Sequence, residues 1–169
     1  GLDYAPAEYV ATHGVWAGAL SPASILAPPQ DFATWHLPGP APAFDREFTF
    51  TFARAGRLRG LAGWFRATLA PGVETSPGIE THWHQVFFPL PATTVAAGDH
   101  IDVRLFLEPG GYEPLWARSG TIVTGDRSQT FDLRVSSTDL APSIRWRTVE
   151  GAAGQSADDL NELGAAAWV

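Results

Sequence analysis

Strict alternation of apolar and polar residues is the feature that most constrains how this chain can fold. Residues 47–52 read Glu-Phe-Thr-Phe-Thr-Phe, so three phenylalanines fall on one face and the polar residues on the other. The same alternation recurs in residues 101–107 and 131–136. A period of two residues is that of a β-strand with one buried face. The sequence therefore predicts strands in all three segments.

Four further segments have the apolar content of strands and are bounded by turn residues such as Pro71-Gly72 and Gly98-Asp99. They are residues 58–69, 85–90, 116–123 and 144–149. Short strands at this spacing predict an all-β fold, an antiparallel β-barrel or sandwich, over residues 1–149. Within that domain, the Ala- and Pro-rich residues 1–44 are expected to supply loops and short strands.

The C-terminal residues 150–169 are expected to form a linker and a short helical tail. Ser156 is a suitable N-cap residue, and Asp158 and Asp159 would place negative charge in the first helical turn. Gly164 and the alanines after it would end this helix early.

The amino-acid composition predicts a folded domain and argues against some classes of protein. Hydrophobic residues make up 45% of the 169 positions and charged residues 17%, which predicts one domain with a substantial core. A formal net charge of -7 argues against a nucleic-acid partner, because such a partner needs a basic face. The absence of Cys excludes disulfides and thiolate sites, and no apolar run approaches the roughly 20 residues that span a membrane.

The chain begins Gly-Leu-Asp and contains no Met, so we expect a processed chain or an excised domain. The first thirty residues have neither a basic leader nor an uninterrupted apolar core, as a signal peptide would. We therefore expect a soluble, cytoplasmic domain.

The most conspicuous polar cluster is Thr81-His82-Trp83-His84-Gln85, directly before a predicted strand. His82 and His84 are two residues apart, so on a strand they would share a face and reach one metal ion. A third ligand would have to come from His100, Asp99 or Asp102. This pattern matches no tight ligand spacing, and the sequence assigns no metal.

Two other kinds of chemistry lack their motifs. The sequence has no Gly-x-Ser-x-Gly elbow of a serine hydrolase, and Glu74 and Glu80 lie in a segment that fixes no carboxylate separation. It has no Gly-x-Gly-x-x-Gly or Walker loop either, so no nucleotide cofactor is assigned to this chain. Seven tryptophans leave a binding role open, since Trp83 and Trp116 lie at predicted strand ends where a ring can meet a partner.

Five short elements follow one another in an order that resembles a known family. They are Gly63-Trp64-Phe65, Ser76-Pro77, Thr81 to Gln85, Phe87-Phe88-Pro89-Leu90 and the turn Gly98-Asp99. This order resembles the C-terminal β-barrel domain of the protein arginine N-methyltransferases, in a bacterial-type form. The resemblance covers roughly residues 45–110 and weakens towards residue 149.

The resemblance implies a division of labour between two domains. In that family an N-terminal Rossmann-type domain binds S-adenosylmethionine and supplies catalytic glutamates, and the barrel closes a Thr-His-Trp loop over the substrate pocket. Carried over, His82 would organise the active site through a carboxylate of the partner domain, Trp83 would line the pocket, and Thr81 would fix the loop. The resemblance gives the supporting positions to Ser76, Pro77 and Gln85. The chain alone would then bind no S-adenosylmethionine and would be inactive, with a peptide or protein as substrate of the complete enzyme.

Two departures from the family pattern limit this reading. The family's Lys before Gln is replaced by His84. The family's helical dimerisation arm has no counterpart, because residues 18–44 are broken by six prolines, so no arm-mediated dimer is expected. Two alternatives stay open, a stand-alone β-barrel module that binds peptide or sugar, and a structural or oligomerisation domain.

Overall fold

A computed structural model describes residues 9, 11–40, 43–76, 84–109 and 115–135, together with the backbone of residues 164–168. Ten strands lie within these ranges, with a 3-10 turn at Pro22–Ser24 after the first. The strands are β1 (Trp16–Gly18), β2 (Phe44–Thr51), β3 (Gly56–Gly63), β4 (Ala67–Ala70), β5 (Val73–Thr75), β6 (Gln85–Val95), β7 (His100–Glu108), β8 (Leu115–Thr124), β9 (Arg127–Val135) and β10 (Gly164–Trp168).

The strands form two four-stranded sheets and a separate hairpin. The first sheet has the order β1-β6-β3-β10, the second has the order β2-β7-β8-β9, and β4 pairs with β5. The pairings are antiparallel except that β10 runs parallel to β3. The predicted all-β, mainly antiparallel fold is confirmed as a sandwich. A closed barrel is not found among the described residues.

The core lies between the two sheets and follows the alternation in the sequence. In the second sheet Phe48 and Phe50 of β2 lie opposite Val103 and Ile101 of β7, and all four are buried. The first sheet contributes its own buried side chains, Leu58, Leu61, Phe88 and Leu90. Burial of each large apolar side chain stabilises the fold by about 1.5–3 kcal/mol.

The prediction of one continuous strand over residues 58–69 is wrong in its extent. Strand β3 ends at Gly63, and the chain resumes as a hairpin of β4 and β5 turned at Pro71-Gly72. Gly72 has a φ of 78°, a conformation that costs glycine little, and Pro71 presets the preceding turn position. A continuous apolar run does not reveal where a strand leaves its sheet.

The end of the C-terminal segment 150–169 forms a strand, whereas a linker and a short helical tail were predicted for this segment. The predicted helix start at Ser156, the linker before it and the predicted strand at residues 144–149 lie outside the described residues. Gly164–Trp168 forms β10, which pairs with β3 at the edge of the first sheet. The alanines of β10 show no alternation of apolar and polar residues, so the sequence does not predict a strand there. The pairing depends on the neighbouring strand β3 and not on local propensity.

No helix among the described residues has the length and apolar character that a membrane crossing would require.

Candidate functional site

Three strand ends meet where the His- and Trp-containing segment joins the fold. Gly18, the last residue of β1, lies opposite Gln85, the first residue of β6. Gly63, the last residue of β3, lies opposite Val86. We call the positions Gly18, Gly63 and Gln85 the loop end of the first sheet. The topology thus places Gly63, where the Gly63-Trp64-Phe65 motif begins, beside the start of β6, although more than twenty residues separate Gly63 from Val86 in sequence.

Gln85 anchors this end of the sheet. Its side-chain oxygen accepts a hydrogen bond from the backbone N–H of Leu20, with 2.5 Å between the two atoms. The contact joins the segment after β1 to the first residue of β6. Such a contact suits a residue that holds the base of a loop.

The remaining predicted site residues have different outcomes. Ser76 directly follows β5 and is exposed, and His84 is exposed directly before β6. Pro77, Thr81, His82 and Trp83 lie outside the described residues. Their predicted roles therefore stay predictions.

The residues considered as a third metal ligand are engaged in local contacts. Asp102 accepts a hydrogen bond from the Thr49 hydroxyl at 2.5 Å and lies 3.7 Å from the His100 ring. The Asp99 carboxylate accepts backbone N–H bonds from Ala96 at 2.7 Å and from Gly125 at 3.0 Å. Those two bonds, Ala96's above all, hold the pKa of Asp99 below its usual range. Among the described residues no group of three His, Asp or Glu side chains is placed to hold a metal ion.

Large apolar side chains are exposed directly before the His- and Trp-containing segment. Phe65 is 40% exposed, Leu69 67% and Val73 50%. All three lie within nine residues of sequence, between the end of β3 and Ser76. We call Phe65, Leu69 and Val73 the hairpin patch. Exposed large apolar side chains concentrated in one short segment are typical of an interaction surface.

Two tryptophans bear on the predicted binding role. Trp64 directly follows the end of β3 and is only partly buried. Trp116 is partly buried too, but it packs on the core, with its ring 4.9 Å from that of Phe88 in an edge-on contact. Its ring therefore serves packing, which weakens the idea of Trp116 as a free binding platform.

A buried arginine is the described polar group that the sequence reasoning missed. Arg118 of β8 is 1% exposed. Its Nη2 donates to the carbonyl oxygen of Thr12 at 2.5 Å and to that of Pro89 at 3.1 Å, and its Nε also donates to Pro89 at 3.1 Å. Burial lowers the pKa of Arg118 to about 10. One guanidinium thus joins the second sheet to β6 and to the segment before β1.

The alternation of inward- and outward-facing residues along β8 could have predicted that Arg118 is buried. Arg118 shares its face of β8 with Trp116 and Ile122, which both pack in the core. An arginine at an inward-facing position predicts a buried hydrogen-bonding role, because an unpaired buried charge is costly.

Taken together, the loop end carries an anchoring amide, an exposed apolar hairpin and the attachment point of a segment rich in His and Trp. No protein-family model matches the chain, and no curated protein matches it. At this end of the fold the hairpin patch leaves three large apolar side chains open to solvent, which is typical of an interaction surface.

Proposed function

We propose that this chain is the substrate-side β-domain of an S-adenosylmethionine-dependent methyltransferase that resembles the protein arginine methyltransferases. It acts together with a Rossmann-type domain that binds the methyl donor. The observation that carries the proposal is the hairpin patch, which exposes Phe65, Leu69 and Val73 in the stretch of sequence shortly before the Thr-His-Trp motif. A peptide or protein substrate follows from the same resemblance, and the cytoplasmic location expected from the sequence is part of the proposal.

The proposal divides the work between two domains. A Rossmann-type cofactor site needs a glycine-rich turn from a strand into a helix. The resemblance gives that site, and S-adenosylmethionine with it, to the partner domain, where the donor would supply the methyl group.

The chain's own contribution is the wall of the acceptor pocket. Trp83 would cover the acceptor and exclude water, while Thr81 holds the loop in place. His82 would donate to a carboxylate of the partner domain and so keep that carboxylate oriented towards the acceptor. Gln85, held to Leu20, gives the loop a fixed base.

The size of the hairpin patch suits a docking role. Complete burial of a leucine or valine side chain contributes about 1.5–3 kcal/mol. Leu69 is 67% exposed and Val73 is 50% exposed, so covering both contributes about 2–3 kcal/mol. That is a substantial share of the energy of an interdomain contact.

Docking is tested with this chain and the separately expressed methyl-donor domain of its natural enzyme. The double substitution Leu69→Ser and Val73→Ser should weaken their association by about 30- to 100-fold, measured by calorimetric titration. Val123→Ser, at a partly buried valine of the second sheet, is the matched control and should change little. Equal affinities for the double variant and the control would refute the hairpin patch as the docking surface.

A further inference from the structure

A second site lies beside the edge strand of the first sheet, apart from the hairpin patch. An open cavity of about 370 Å³ is lined by β1, the residues on either side of β1, and β6. Its walls are largely apolar and include Trp16, Leu20, Phe87 and Pro89. Small-molecule sites typically have volumes of about 300–1,000 Å³ with mostly apolar walls. The cavity therefore has the size and character of a site for a small organic molecule.

Arg59 of β3 is the one charged side chain among the described residues that line this cavity. Its Nε is buried and has no hydrogen-bond partner among the described residues. Arg59 also makes no ion pair within that part of the chain, whereas Arg66 and Arg104 each pair with an aspartate. No described carboxylate balances the positive charge of Arg59, so an anionic group of a ligand would be favoured beside its guanidinium.

The walls of the cavity are held in place before any ligand arrives. Thr12 and Pro89 both line it, and their carbonyl oxygens both accept from the buried Arg118 guanidinium. The Trp16 indole donates to the carbonyl oxygen of Ala11 at 3.1 Å, which fixes another wall. A site with preset walls loses little conformational entropy on binding.

We propose that this cavity binds a small monoanionic organic molecule, an apolar body that ends in a carboxylate. The planar guanidinium of Arg59 matches the two oxygens of a carboxylate, and the aromatic and aliphatic walls match the apolar body. The inference stands apart from the proposed function, since it uses neither the Thr-His-Trp segment nor the hairpin patch.

The experiment compares octanoate with octanol by calorimetric titration of the full chain at neutral pH. The two probes share their apolar body and differ in charge. Octanoate should bind about tenfold more tightly or better, because a hydrogen bond to a charged group adds about 1.5–3 kcal/mol. In Arg59→Gln the ratio of the octanoate affinity to the octanol affinity should fall towards one. Arg57→Gln, at an exposed arginine two residues earlier on β3, is the matched control and should keep the preference.

A blocking variant tests the location without touching the charge. A Cβ added at Gly18, which lines the cavity, meets no atom within 4 Å, so a leucine side chain can enter the open space. Gly18→Leu should abolish binding of both probes with the thermal transition retained. Equal affinity of the two probes for the unaltered chain would overturn the proposal. The proposal would also be overturned if Arg59→Gln kept the same preference for octanoate over octanol as Arg57→Gln. The same holds if Gly18→Leu bound the probes as tightly as the unaltered chain.

Discussion

Two glycines of the first sheet should respond in opposite directions to the same substitution. Gly60 lies within β3, where a Cβ would stand 2.5 Å from the Phe88 carbonyl oxygen and 2.6 Å from Cε2 of Phe87. Real Cβ atoms essentially never approach another atom closer than 3.0 Å. The Phe87 ring can move, but the Phe88 oxygen belongs to the backbone of the neighbouring strand. Gly60→Ala therefore requires β3 and β6 to separate by about half an ångström.

The expected cost follows from the energetics of overpacking. Forcing an extra methyl group into a packed region with backbone shifts costs about 1–3 kcal/mol. Gly18, at the end of β1, has nothing within 4 Å of an added Cβ. Gly18→Ala should instead stabilise the chain by about 0.4–1 kcal/mol, because alanine restricts the unfolded chain more than glycine does. The two variants should therefore differ by about 1.5–4 kcal/mol.

Urea unfolding followed by tryptophan fluorescence measures this difference directly. The midpoint should fall for Gly60→Ala and rise slightly for Gly18→Ala, with an unchanged dependence on urea concentration. A Gly60→Ala variant as stable as the unaltered chain would refute the close packing of β3 on β6. It would also remove the register that brings Gly63 beside Val86 at the loop end.

Four further predictions concern Arg118, Asp99 and the methyl donor. Arg118→Ala should destabilise the chain by about 3 kcal/mol, since it leaves a cavity and two carbonyl oxygens without their donor; equal urea midpoints would contradict this. The folded pKa of Arg118 is lowered to about 10, so folded chains lose this proton at a lower pH than unfolded chains do. The free energy of unfolding of the unaltered chain, relative to that of Arg118→Ala, should therefore rise as pH increases through about 10. Parallel pH profiles of the two free energies would speak against the buried charge. Asp99→Asn should destabilise the chain at neutral pH. The difference should begin to shrink near the unfolded pKa of about 4 and vanish only when the pH falls below the lowered folded pKa of Asp99; a pH-independent difference would exclude the two backbone bonds as its origin. Calorimetric titration of the isolated chain with S-adenosylmethionine should show no binding, and a clear micromolar isotherm would overturn the division between domains.

Alternation predicted the strands whose inner face is buried and whose outer face is solvated. Strands β2, β7 and β9 belong to this class, and their charged or hydroxyl residues point outward as the parity requires. Strand β3 is different, because Leu61, Ala62 and Gly63 are all buried and no alternation marks its end. Strand β10 has alanines at its centre, and its pairing with β3 is a long-range event that local pattern does not carry.

The candidate site was only partly predictable for a similar reason. The order of motifs identified the segments, but only the register of β1, β6 and β3 shows that Gly18, Gly63 and Gln85 form one end of a sheet. The bond from Leu20 to Gln85 spans 65 residues of sequence and has no local signature. Arg59, by contrast, looks like any strand arginine until the cavity beside it is seen.

We propose that the Thr-His-Trp segment of this chain completes a methyltransferase active site. The turnover of the complete natural enzyme carrying His82→Ala, measured as methyl transfer from S-adenosylmethionine to protein substrate, tests this role most directly. We expect a loss of about tenfold or more, equivalent to about 1.4 kcal/mol of barrier, with the fold retained. His84→Ala, two positions away and exposed, is the matched control and should keep a near-normal rate. An unchanged rate for His82→Ala would refute the proposed role of the segment.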